Sequence, residues 1–314
     1  MTDEIQVWGM FDRIPVNQDV MDTHFRVKIE DDLTSRKLPS ELEEEVQRVW
    51  ATATVKSPNI KDNLVPFLTG DVTSNGNVYG VTTNVRGFRH VLSFNRTPSF
   101  SDRVQDLNQY KLLHLSTHGH VLVRGNDGSD KIVYGIKTNQ FKQRSGFLGF
   151  PDVATESVEI DGIRYLDLNS VVFNRAKELQ QFRGAISEVE VTGITYVGRP
   201  EVLEKQGKLL RGVDLNFLLT LDGVTAEEVA KSFAESDQFA NSLHVTDADP
   251  YGQRDFIKSV YRAGHEMSPY AMGCAVSRTN ALFGEQGAGL ILDTIKEVGY
   301  KICIGNTTDY FKEN

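Results

Sequence analysis

Glu178, Gln181 and Phe182 stand at positions i, i+3 and i+4 of one run, Lys177-Glu178-Leu179-Gln180-Gln181-Phe182-Arg183-Gly184-Ala185. On an α-helix, residues at that spacing share a face. Three side chains there would aim at one spot. Carboxylates gathered in this way hold Mg²⁺, a hard cation that prefers carboxylate and water oxygens. The ion can then neutralise phosphoryl oxygens and activate a water. This chain offers one carboxylate, one amide and one phenyl ring. Gln181 keeps an oxygen without the charge, and Phe182 brings no ligand atom.

The run resembles the catalytic helix of the Nudix pyrophosphatases, whose core reads Arg-Glu-apolar-any-Glu-Glu-any-Gly-apolar. Lys177 stands at the Arg position, Glu178 and Leu179 match, and Gly184 and Ala185 close the motif in register. Gln181 and Phe182 replace the acidic pair. Further upstream, Asn169 stands where the family has a Glu, and Ile163 where it has a Gly, with Gly162 one place early. Asn169 also suits a helix cap. The loop GFPDVATES keeps Gly149, Pro151 and Glu156 of the family's Pro-Gly-Gly-any-apolar-Glu only loosely.

The resemblance implies an α/β fold, a Nudix-like α/β/α sandwich with a mixed sheet and an N-terminal β-rich extension. It implies a site for a nucleoside-diphosphate derivative, and Mg²⁺ as cofactor if the chain is active. Glu178, Gln181 and Phe182 are then the altered catalytic positions. Glu178 and Glu156 are the candidate metal ligands, with Glu159 and Asp161 close by. Lys137, Lys142, Arg144 and Lys177 are the candidate substrate-binding cations, since such groups match phosphate geometry. The N-terminal stretch YGVTTNVRGF, 79–88, is similar to the region ahead of the domain in the UDP-sugar diphosphatase subgroup.

The elements that must position these residues follow from periodicity. FRVKI, 25–29, alternates as a strand does, and 39–50 reads as a short helix. An Asn/Gly/Thr-rich loop is expected over 69–84 and a strand over 86–94. LLHLS, HVLVRG and KIVYGIKT are three strand-like runs, the last two separated by the turn GNDGSD. After a loop over 145–157 come a short strand at 163–166, the altered helix at 168–183, and strands at 186–197 and 213–221. Helices are expected at 224–234, 250–263, 268–283 and 288–298, with short strands at 243–246 and 301–304. This order suggests three parts: 1–110 as a pre-Nudix-like region, 111–284 as the Nudix-like domain, and 285–314 as a C-terminal helical extension.

The chain carries a net charge of −9 over 314 residues. That balance disfavours nonspecific nucleic-acid binding, which depends on neutralising phosphates. The two cysteines, Cys274 and Cys303, form neither a disulfide framework nor a zinc spacing. They read as small core residues of a reducing compartment. No signal peptide or membrane span is indicated, so a cytoplasmic protein is expected. His118 and His120 share one face of a strand and could hold a transition metal. Hairpin histidines with no carboxylate beside them are the plainer reading.

The leading expectation is a Nudix-fold protein that binds a nucleotide-sugar-like small molecule through a degenerate pyrophosphatase site. One alternative is an active nucleotide-sugar hydrolase with relocated carboxylates. The other is a non-enzymatic interaction module whose pocket is filled by its own side chains, Phe182 among them.

Overall fold

A computed structural model describes residues 5–30, 38–70, 72–96, 113–137, 147–149, 151–175, 177–197, 212–235, 239–264 and 267–305. Strand β7, Leu113–Val123, and strand β13, Gly212–Leu221, run parallel at its centre, in register from Val213 opposite Leu115 to Leu221 opposite Val123. Every residue of both strands is buried. Around this pair the sheet extends in the order β10-β11-β3-β6-β4-β7-β13-β12-β1-β15. These strands are β10 Ser157–Ile160, β11 Ile163–Leu166, β3 Phe25–Glu30, β6 Val78–Gly87, β4 Leu64–Leu68, β12 Ile186–Val197, β1 Ile5–Trp8 and β15 Ile302–Gly305. β8, Lys131–Lys137, and β9, Phe147–Gly149, pair antiparallel with β7, and β14, Phe239–Asp247, pairs with β8. The sheet is therefore mixed.

The expected parts at 1–110 and 285–314 both supply strands to this one sheet. β1 pairs antiparallel with β12 and parallel with β15, so the first and last described strands sit side by side. The boundary at 284 falls within a helix.

The described helices are α1 Ser40–Lys56, α2 Phe88–Arg96, α3 Leu168–Arg175, α4 Ala226–Ala234, α5 Pro250–Arg262 and α6 Pro269–Glu297. Their starts are chemically marked. Thr225 and Glu228 form a capping box for α4, and Asp249 and Ser268 cap α5 and α6, each followed by a proline at the first helical position. α6 breaks at Gly284, whose φ of 71° and ψ of −173° are not helical. A glycine tolerates that geometry where another residue would be strained. The two expected helices, 268–283 and 288–298, are the two arms of this break.

Helices cover both faces of the central strands. On one face Leu113, Leu115, Val121, Val213, Leu215, Phe217 and Leu219 join a core with Val171 and Val172 of α3 and Val229 and Phe233 of α4. On the other, Leu122 and Leu218 meet Ile257 of α5 and Ala271, Ala275 and Ile291 of α6. A smaller core packs α1 and α2 on β4 through Leu42, Val46, Val91 and Phe67. None of the described helices is long and apolar enough to cross a membrane.

Several local expectations change. The strand expected at 86–94 is the end of β6 followed by α2. Asp62 accepts a hydrogen bond from Arg89 N at 2.8 Å, so the helix start is capped from another segment, a signal with no local trace. The loop expected at 69–84 holds a hairpin, β5 Thr73–Asn75 with β6, in which Asn75 pairs with Val78. The runs LLHLS and HVLVRG are one strand, because β9 and β13 keep residues 117–119 paired between them.

Candidate functional site

The altered motif begins at Asp167. Its backbone carbonyl accepts from Val171 N at 2.9 Å and its carboxylate from Ser170 N at 3.1 Å and Ser170 Oγ at 2.6 Å. Asp167 is thus the cap of α3, a role the sequence also offered to Asn169. Asn169 sits inside the first turn instead.

The segment 168–183 is helical, but not as one α-helix. α3 ends at Arg175, and Lys177–Ala185 is a 3-10 helix. With three residues per turn, i and i+3 eclipse, while i+4 moves about a third of a turn away. The backbone therefore does not bring positions 178, 181 and 182 to one spot. Gln181 is exposed, whereas Phe182 is half-buried and packs on the main core beside buried Leu179. The shared face expected for these residues is corrected accordingly. Lys142 and Arg144 lie outside the described residues, as do the side chains of Lys137, Lys177 and Glu178.

A cleft of about 750 Å³ opens where α3 meets the 3-10 segment, lined by Asp167, Asn169, Phe173, Gln180 and Arg183 among others. Phe182 is not part of its wall. Arg183 places its guanidinium carbon 4.7 Å from the centre of the Phe173 ring, a cation–π contact. The buried oxygen Oδ1 of Asn169 has no hydrogen-bond partner among the described residues.

Glu156 does not face this cleft as a free ligand. It is 2% exposed, takes Asp152 N at 2.7 Å on Oε2 and Asn174 Nδ2 at 3.1 Å on Oε1, and so ties the 152–156 turn to α3. Glu159 and Asp161 are exposed on the β10–β11 hairpin. Asp161 and Gly162 are its two turn residues, both with positive φ, as the tightest hairpin turns require. Among the described residues, no three carboxylates converge on a point that could hold Mg²⁺.

A second polar assembly lies under α6, and the sequence did not connect its parts. Ser116, His118 and His120 alternate along β7, Asp214 and Asn216 along β13, and all are buried. Cys274, Ser277 and Arg278 of α6 cover them. The Arg278 side chain, 0% exposed, donates from Nη1 to His120 Nδ1 at 2.7 Å and to the Tyr134 hydroxyl at 2.8 Å, and from Nη2 to Gln253 Oε1 at 2.6 Å. Tyr134 in turn donates to Gln253 Oε1 at 2.7 Å. Ser116 donates to Asp214 Oδ1, and Asp214 Oδ2 lies 3.9 Å from His118 Nδ1. The histidines thus do have a carboxylate beside them, brought from a strand about a hundred residues away.

Charge is tightly controlled here. Burial, Arg278 and His118 together hold His120 well below its ordinary value of 6.5, so the ring is neutral. Burial pushes the Cys274 thiol up, and it stays protonated. Tyr134 is raised by burial as well. An arginine can only donate, so His120 Nδ1 accepts and the ring proton sits on Nε2. That Nε2 has no hydrogen-bond partner among the described residues.

No protein-family model matches this chain, and no curated protein matches it in sequence.

Proposed function

We propose that the chain is a Nudix-like protein that binds a nucleoside-diphosphate derivative in the cleft between α3 and the 3-10 segment, without efficient metal-dependent hydrolysis. The observation that carries this reading is the cleft itself. It is built by the altered motif, and Phe182 turns into the core instead of plugging it. Its volume of about 750 Å³ falls in the range of small-ligand sites, roughly 300–1,000 Å³. Arg183 supplies a cation for a phosphate oxygen. Asn169 supplies an unpaired amide oxygen for a base or sugar donor, and burying such an atom unpaired is costly.

The element order also supports the fold named in this reading. The hairpin β7–β8, strand β9, hairpin β10–β11, the helical motif segment, β12, β13 and α4 follow one another as the resemblance implies. The hydrolase alternative needs at least two more carboxylates near Glu178. Asp167 and Glu156 are both engaged as structural acceptors. The interaction-module alternative needs a filled pocket, and this one is open.

Calorimetric titration with UDP-glucose, with and without Mg²⁺, tests the proposal. Binding that is independent of Mg²⁺ and drops at least tenfold in Arg183→Ala is expected. Turnover at ~1 s⁻¹ or above, in the ordinary enzyme range, would favour the hydrolase. Absence of binding to any nucleoside-diphosphate derivative at millimolar concentration would favour the interaction module.

A further inference from the structure

We infer that His118, His120 and Cys274 form a closed structural site for a borderline transition-metal ion of the zinc class, joining central strand β7 to helix α6. Each of the three residues offers one ligand atom, and these atoms lie within 4.8 Å of one another. All three side chains are buried, at 0 or 1% exposure.

Local structure explains the arrangement. A two-residue spacing on β7 puts both rings on the face that α6 covers. Cys274 stands on α6 one turn before Arg278, which grips His120. Two imidazoles and one thiol suit zinc or cobalt and do not suit Mg²⁺, which takes oxygen. Asp214, 3.9 Å from His118, is placed either to complete a fourfold set or to orient His118 behind the ion, as carboxylates commonly do.

The unpaired Nε2 of His120 points to the same conclusion independently. A buried ring nitrogen without a partner is costly, and a metal bond would satisfy it once the ring proton has moved to Nδ1. Ligand bonds of about 2.0–2.3 Å place tetrahedral ligand atoms roughly 3.3–3.8 Å apart. Separations of up to 4.8 Å would therefore close by on the order of an ångström at most on loading.

The proton balance is definite. Cys274 loses its thiol proton to solvent as the sulfur–metal bond forms. The His120 ring moves its proton from Nε2 to Nδ1, which breaks the hydrogen bond from Arg278. Arg278 keeps Tyr134 and Gln253 as acceptors. One proton is released per ion bound. Because every ligand is buried, the ion enters as the chain folds.

The test is refolding from urea with Co²⁺, which reports tetrahedral geometry and thiolate ligation by its absorption. About one equivalent of Co²⁺, displaceable by Zn²⁺ and not by Mg²⁺, is expected, with a sulfur-to-cobalt charge-transfer band. The chain has two cysteines, so Cys303→Ala should keep the band and Cys274→Ala should lose it. Should Cys274→Ala fail to fold, the band in Cys303→Ala alone identifies the ligand. His120→Gln should lose the tetrahedral spectrum. Refolded protein with native circular dichroism and no cobalt spectrum overturns the site. So does a bound ion without the charge-transfer band, or a band that vanishes in Cys303→Ala.

Discussion

Arg278 Nη1 donates to His120 Nδ1 at 2.7 Å inside a core where neither side chain reaches solvent. The guanidinium makes no ion pair with a carboxylate among the described residues. A neutral imidazole, a phenol and an amide carbonyl share its charge instead. Such a group is costly to bury, and it persists only because several donors find acceptors at once. The contact also decides the His120 tautomer of the metal-free chain, and it must break before Nε2 can take an ion.

Replacing Arg278 should be among the most damaging changes in the chain. Arg278→Ala strands His120 Nδ1 and the Tyr134 hydroxyl oxygen without their donor, leaves Gln253 Oε1 only the Tyr134 hydroxyl, and opens a cavity. A loss of about 3–5 kcal/mol is expected, the range for breaking a buried charged network. Arg278→Lys should rescue little, because one ammonium cannot serve partners reached from two separate nitrogens. Urea unfolding of both variants checks this. A loss under about 1 kcal/mol in either would show that the network relaxes around the missing fork.

The same contact predicts a pH dependence. His120 is held well below 6.5 in the folded chain, so the unfolded chain takes up a proton first as the pH falls. Its contribution is fully present above about pH 6.5. It is lost progressively below that, by up to about 1.4 kcal/mol per pH unit. The stability difference between wild type and His120→Gln should therefore shrink from pH 7.5 to pH 5.5. Thermal melts at the two pH values measure it, and a constant difference would mean that His120 titrates normally.

Most elements were legible from period and punctuation, because strands such as 186–197 and helices such as 250–263 carry local signals. The polar layer was not legible, and β13 shows why. In Val213-Asp214-Leu215-Asn216-Phe217 the apolar residues read as the core face and the polar ones as the water face. α6 covers that second face, so Asp214 and Asn216 are buried all the same. Nothing local announces a helix arriving from sixty residues downstream. The motif segment is helical as expected, and its shared face was lost for a related reason. Residue spacing shows a periodicity but not the tightening from α to 3-10 at residues 177–185.

Close approach of α6 to the sheet gives a third prediction. A Cβ built on Gly273 would stand 2.2 Å from Thr195 Oγ1 and 2.3 Å from Thr195 Cγ2. Thr195 also exchanges hydrogen bonds with Asn216 at 2.9 and 3.1 Å, so it cannot simply rotate away. Gly273→Ala should cost about 1–3 kcal/mol although alanine is the better helix former. A thermal melt showing stabilisation would place α6 further from β12 than described.

Gln181→Glu with Phe182→Glu supplies the two acids that the motif resemblance finds missing, and it should still fail to create a Mg²⁺ site. On the 3-10 segment, residue 182 lies about a third of a turn from residues 178 and 181. Three acids there would not share a face. Position 181 is exposed, so Gln181→Glu alone should change stability by no more than about 0.5 kcal/mol. Phe182 packs on the main core from a half-buried position, and its loss should cost about 1–3 kcal/mol, less than a fully buried ring. The expected result is a folded, less stable double variant with no heat of Mg²⁺ binding. If the folded variant instead titrates with Mg²⁺, residues 177–185 have rewound into an α-helix. The cleft would then be a metal site held open only by its missing acids.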